Sequence, residues 1–180
     1  MYTMLIAAFR GGEQAVATWL DEGGCVDAMV DPFSEKQGVA VTFLMMAAAG
    51  GQEAMVRMLL QRGASVNLQN SLGFTALMHA SLGGHTTIVQ ALLDAKADAS
   101  LQSTNGGTAL MWAELRQQDA VARLLRQHAE LLTAEVEAGA GAPAAHAARA
   151  ADATVASAVG AKGGALEVIS TLALALTLTL

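Results

Sequence analysis

The stretch Gly73-Phe74-Thr75-Ala76-Leu77-Met78-His79-Ala80, continued by Gly84-His85, Ile88-Val89 and Leu92-Leu93, recurs in altered form 33 residues to either side. Thr42 and Thr108 stand 33 before and 33 after Thr75. Behind Thr42 come Leu44, Ala47-Ala48, Gly51, Met55-Val56 and Leu59-Leu60, then Gly63-Ala64-Ser65-Val66-Asn67. Behind Thr108 come Ala109-Leu110, Ala113, Val121 and Leu124-Leu125. A further copy opens the chain with Thr3, Leu5, Ala7-Ala8, Gly11-Gly12, Val16, Trp19-Leu20 and Gly23-Gly24. Self-similarity at one fixed period marks an array of stacked supersecondary units.

Within one copy the pattern predicts two helices. Ala76 to Gly83 has the small residues and spacing of a short helix, and Gly83-Gly84 ends it, because glycine tolerates the positive φ that a helix C-terminus needs. Thr86 to Ala95 places Ile88, Val89, Leu92 and Leu93 on one helical face. Helices this short are marginal alone, since isolated helices under about 12–15 residues barely persist in water. They must therefore stack. Ala47, Ala80 and Ala113 share one register, where small side chains let neighbouring helix pairs approach closely. The threonine opening each copy is placed to cap its first helix, a contribution of about 1 kcal/mol.

The pattern resembles the ankyrin repeat, a 33-residue unit with a Thr-Pro-Leu-His-x-Ala-Ala core, a Gly-His turn, an Ile-Val-x-x-Leu-Leu helix and a Gly-Ala-Asp-Val-Asn exit. The resemblance covers residues 1–128 in four degenerate copies, about 1–27, 40–69, 70–102 and 103–128. It implies an all-α repeat solenoid. No copy keeps the proline: Met4, Phe43, Ala76 and Ala109 follow the four threonines. The third exit reads Lys96-Ala97-Asp98-Ala99-Ser100, with lysine in place of glycine. The first and fourth copies read one residue short between the threonine and the valine that opens the second helix's apolar face.

Thr3 to Thr42 spans 39 residues, so an insertion lies between Asp27 and Val41. It carries the turn signal Asp31-Pro32 and then Phe33. A lengthened finger would present Phe33 to a partner; the plainer alternative folds Phe33 back on the first copy. Beyond Gln127 the exit motif does not return. Leu131, Leu132 and Val136, interleaved with Glu130, Glu135 and Glu137, extend the last helix to residue 138 as a cap, and Gly139 stops it. Residues 139–165 form an alanine- and glycine-rich linker interrupted by Pro143. Residues 166–180 form an apolar tail. As a helix, Val168 to Leu180 is about 20 Å long, undersized for a bilayer core of about 30 Å. Its alternation suits a strand equally. A tail anchor, a self-associating or poorly ordered end, and packing against the stack all stand as readings.

Composition limits the function. Of 180 residues, 53% are hydrophobic and 14% charged, which excludes general disorder. A net charge of −6, with no basic stripe, argues against nucleic-acid binding. One cysteine, Cys25, rules out an intrachain disulfide framework and favours a reducing compartment, cytoplasmic or nuclear. No signal peptide is legible at the N-terminus. His79 and His85 lie on different elements without a cysteine or carboxylate at ligand spacing, and His128 and His146 are isolated, so no metal or cofactor site is expected. Cys25 lacks an activating base, and no nucleotide loop or nucleophile elbow is present. No catalytic residue is expected.

What remains is surface. The resemblance implies that a partner contacts residues flanking each threonine and those closing the first helices, along the concave side. In this chain those positions hold Val39, Val41 and Ala49; Ser71, Leu72, Phe74 and Leu82; and Asn105, Leu115 and Arg116. The row is apolar for positions expected to be exposed, which points to a protein partner. For Leu72, Phe74 and Val41 the alternative is packing between adjacent fingers. The expected function is a non-enzymatic adaptor or scaffold for an unidentified protein. A membrane-tethered form using the tail and a fragment of a larger signalling protein are the alternatives.

Overall fold

The computed structural model describes residues 2–30 and 39–139. Among these, the chain forms eight helices: α1 (Tyr2–Arg10), α2 (Glu13–Asp21), α3 (Phe43–Ala49), α4 (Glu53–Gln61), α5 (Ala76–Gly83), α6 (Thr86–Asp94), α7 (Ala109–Leu115) and α8 (Asp119–Gly139). They pair as α1 with α2, α3 with α4, α5 with α6, and α7 with α8. The first helices stack as a row in which α3 lies between α1 and α5, and α5 between α3 and α7. The second helices make a parallel row, α2 to α4 to α6 to α8. Residues 31–38 of the insertion, with Phe33, and residues 140–180 of the linker and tail, with Pro143, lie outside the described residues.

Local chemistry accounts for the helix starts. Thr42, Thr75 and Thr108 are extended N-caps whose hydroxyl oxygens accept from the backbone N–H of Met45, Met78 and Met111 at 3.2, 3.3 and 3.4 Å. Each satisfies one donor that the first helical turn leaves unpaired. Thr3 differs from its expected role: α1 begins at Tyr2, so Thr3 lies inside the helix and caps nothing. The core runs through both rows. Met55, Val56 and Leu59 of α4 recur as Ile88, Val89 and Leu92 of α6 and as Val121, Ala122 and Leu125 of α8, all buried. Each aliphatic burial of this kind contributes about 1.5–3 kcal/mol.

That recurrence corrects the reading of the fourth copy. Val121 stands 33 residues after Ile88, not after Val89, so no residue is missing there. The first copy is not short either. The Gly12 N–H donates to the Ala7 carbonyl as the Gln52 N–H does to Ala47, and Gly11 and Gly51 take the same left-handed backbone. Val16 stands 40 residues before Val56, so Tyr2 and not Thr3 holds the register of Thr42.

Polar side chains tie neighbouring copies along their turns. The Asp27 carboxylate accepts from the Ser65 backbone N–H at 2.8 Å and from its hydroxyl at 2.5 Å. One copy on, Asn67 Oδ1 accepts from the Asp98 N–H at 2.8 Å, and Asn67 Nδ2 donates to the Lys96 carbonyl at 3.3 Å. Gln52 Nε2 donates to the Phe9 carbonyl at 3.1 Å, linking the second copy to the first. The exposed Arg62–Asp21 ion pair at 2.7 Å adds little, because side-chain entropy and solvent offset its attraction.

The lost exit glycine has a visible consequence. Lys96 adopts φ 66° where Gly63 adopts φ 82° one copy earlier. A Cβ in this region meets the following carbonyl, at about 1–2 kcal/mol, while glycine's extra unfolded-state freedom returns part of that gain. Lys96→Gly is therefore expected to raise stability by up to about 1 kcal/mol. A urea midpoint at or below that of the parent chain would refute this.

Candidate protein-binding surface

The fingers preceding α5 and α7 are built by buried polar residues at one register, Asn70 and Ser103. Asn70 Oδ1 accepts from the N–H groups of Leu72 at 3.0 Å and Phe74 at 2.9 Å, and the Asn70 N–H donates to the Phe74 carbonyl at 3.0 Å. In the next finger the Ser103 N–H and hydroxyl both donate to the Gly107 carbonyl, at 3.0 and 2.9 Å. The fingers bond to each other as well. The Thr104 N–H donates to the Leu72 carbonyl at 2.9 Å, and Gln69 Nε2 donates to the Gly73 and Gln102 carbonyls at 2.8 and 2.9 Å. Gly73, at φ 73°, permits this approach, since a Cβ there would lie 2.8 Å from Ser103 Cα. Asn70 escaped the sequence reading, although an Asn-x-x-Gly run before the cap threonine is a legible turn signal.

Four of the expected contact residues prove to be core. Phe74 is 1% exposed, and its ring lies between His79 at 5.5 Å and Trp112 at 5.1 Å, centroid to centroid. It anchors its finger to α5 and α7 instead of facing outward. Val39 and Val41 are buried because an antiparallel bridge between Val30 and Val41, with N···O distances of 3.0 and 2.9 Å, turns this segment inward at the base of the insertion. Leu82 is buried because α5 has a first-row helix on each side, which covers every residue from Ala76 to Leu82. Leu72 and Ala49 are half-buried.

The exposed remainder divides into two groups. Ser71 and Asn105 stand at the tips of adjacent fingers, with Leu72 beside them. Leu115 and Arg116 lie at the opposite end of α7, where Leu115 is 47% exposed. This end is open because α7 packs on α5 and has no first-row helix on its other side among the described residues. Glu114 is held by an ion pair to Arg126 of α8, which leaves Leu115 and Arg116 as the outward pair. Seven helical residues separate the groups, about 10 Å of rise.

Ionisable groups here are sparse. His79 is 6% exposed, both of its ring nitrogens lack a hydrogen-bond partner among the described residues, and burial pushes its pKa down to about 4. Trp112 Nε1 is likewise unpartnered. Cys25 is exposed, and nearby Asp27 is engaged with Ser65. His85 packs its ring over the preceding copy's turn, where a Cβ on Gly51 would lie 2.7 Å from His85 Cε1. Among the described residues, no three His, Cys, Asp or Glu side chains gather as a metal site, and no helix is long and apolar enough to cross a membrane.

A family model described as ankyrin repeats, three copies, matches residues 44–135, which span the last three helix pairs. The pair α1 and α2 precedes the matched residues. No curated protein matches the chain.

Proposed function

We propose that this chain, which belongs to the ankyrin repeat family, is an adaptor whose repeat unit, residues 1–138, holds a partner protein against the finger tips and the open end of α7. Repeats of this family are generally protein–protein interaction modules and typically non-enzymatic. The observation that carries the reading is the placement of Leu115, 47% exposed beside Arg116, on a helix whose inner side is fixed in the core. An apolar side chain with an adjacent guanidinium on a rigid element has the makings of a binding hot spot, because little ordering entropy is lost on docking. Ser71, Leu72 and Asn105 supply a second contact line on fingers already tied by backbone bonds. The single exposed thiol of Cys25 suits a reducing compartment, cytoplasmic or nuclear.

Capture from native lysate on the immobilised full chain, quantified protein by protein, tests the assignment. Leu115→Glu combined with Arg116→Glu is expected to weaken retention of the specific partner at least about tenfold, the scale of one lost hot spot. Far-UV CD and the melting midpoint should stay near those of the parent chain, because both side chains face water. Undiminished retention by a folded variant would remove this site.

A further inference from the structure

We propose that the apolar C-terminal segment, residues 166–180, docks on the leucine face that α8 carries beyond the repeat stack. The inference is independent of the partner site on α7. The other second-row helices have nine residues each, whereas α8 has 21. Its first half is seated: Val121, Ala122 and Leu125 are buried in the shared core. The same side of the helix continues through half-buried Leu124 and His128 to Leu131 and Leu132, which are 66% and 50% exposed. Positions 121, 125, 128 and 132 advance by four, three and four residues and so share one face. The seam that holds α8 to the stack therefore runs on without a partner among the described residues.

The chain carries a matching occupant. Residues 166–180 contain Leu166, Val168, Ile169 and the leucines at 172, 174, 176, 178 and 180, with Glu167 as the one charged residue. Tethering favours this segment over a second copy, because a matched linker holds a segment near its site at an effective concentration of about millimolar. The reach is sufficient. A flexible chain of 26 residues, the length from 140 to 165, would span about 28 Å on average, whereas Leu131 lies about 12 Å back along α8 from Gly139. Docking there would cover the leucines and lengthen the core by one layer at the open end.

Hydrogen exchange on the full chain tests this, following peptides of residues 126–134 and of the tail. In the parent chain both are expected to exchange slowly. Leu172→Asp combined with Leu176→Asp should speed exchange at 126–134 by about tenfold while leaving α5 and α6 unchanged. Leu131→Asp combined with Leu132→Asp should speed exchange in the tail. The tail variant leaves α8 intact, so faster exchange at 126–134 in that variant cannot arise from a helix broken by its own mutation. Unchanged exchange at 126–134 in the tail variant would overturn the proposal. So would protection that disappears on dilution, the mark of a second copy as occupant, or tail protection that appears only when phosphatidylcholine vesicles are added.

Discussion

Phe74→Ala is expected to destabilise the chain by about 3–5 kcal/mol, the cost of emptying a fully buried aromatic site. Phe74→Glu empties the same aromatic site and also takes a carboxylate out of water, with only the buried His79 and Trp112 nitrogens near it, and is expected to destabilise the chain as well. The Phe74 ring is 1% exposed and bridges two helices, with His79 of α5 on one side and Trp112 of α7 on the other. In a linear array each unit draws stability from its neighbours, so removing a bridge between units acts on both. Urea unfolding followed by far-UV CD reads the effect. The surface reading of the sequence would have Phe74→Glu weaken partner capture with helicity intact; burial reverses that expectation. A Phe74→Ala midpoint within about 1 kcal/mol of the parent would show that the bridge is not structural.

Acidification is expected to produce the second large effect. The folded chain holds His79 neutral, with its pKa pushed down to about 4 by burial from an ordinary 6.5. Unfolded chains take up a proton below pH 6.5 that the folded chain refuses. The stability tied to the neutral form is complete above pH 6.5 and is lost as pH falls from there to about 4, where the folded chain protonates as well. At 1.36 kcal/mol per unit this amounts to about 3 kcal/mol. No nearby charge softens the effect. Of the helices packed on α5, α3 has no ionisable side chain, α6 has Asp94 bonded to Gln90 on the surface, and α7 has Glu114 paired with Arg126. The finger residues 70–74 and 103–107 have none.

Two carboxyls act in a lower window. Arg57, with Thr87, holds Glu53 below the usual carboxylate range, and hydrogen bonds from Ser100 do the same for Asp98. What they contribute is present above their ordinary pKa values and lost as pH falls through the lowered ones, beneath most of the His79 window. His79→Leu separates the contributions. It should flatten the limb between pH 6.5 and 4 and raise neutral stability by about 1–2 kcal/mol, because two buried nitrogens without partners disappear. A limb that persists in His79→Leu would assign the acid sensitivity elsewhere.

The register was open to reading from the sequence, and with it the helices, because the last three copies repeat their cap threonine and the buried trio of the second helix at one spacing. The direction of the contact row was not. Aligning Phe74 with a family position says where it falls in the unit, but its burial depends on what the neighbouring helices present. The signal was there in altered form: His79 and Trp112, both bulky, occupy one register on adjacent first helices and require a cover between them. Val121 misled for a similar reason. Matching valine to valine displaced the fourth copy by one, whereas matching the buried trio Val121, Ala122 and Leu125 to Ile88, Val89 and Leu92 restores it. The exposure of Leu115 was readable, because α7 is last in the row of first helices among the described residues.

The Val30–Val41 bridge separates two kinds of distance. The backbone leaves the first copy and rejoins the second across a single pair of reciprocal hydrogen bonds, so the stacking surfaces meet regardless of how much chain intervenes. Closure entropy rises only with the logarithm of length, by about 0.6 kcal/mol for each doubling. The interval between Thr3 and Thr42 is thereby freed from the metre that governs the other copies. Here the array accommodates a foreign phrase without losing its count, because α1 and α3 on either side of it still pack together.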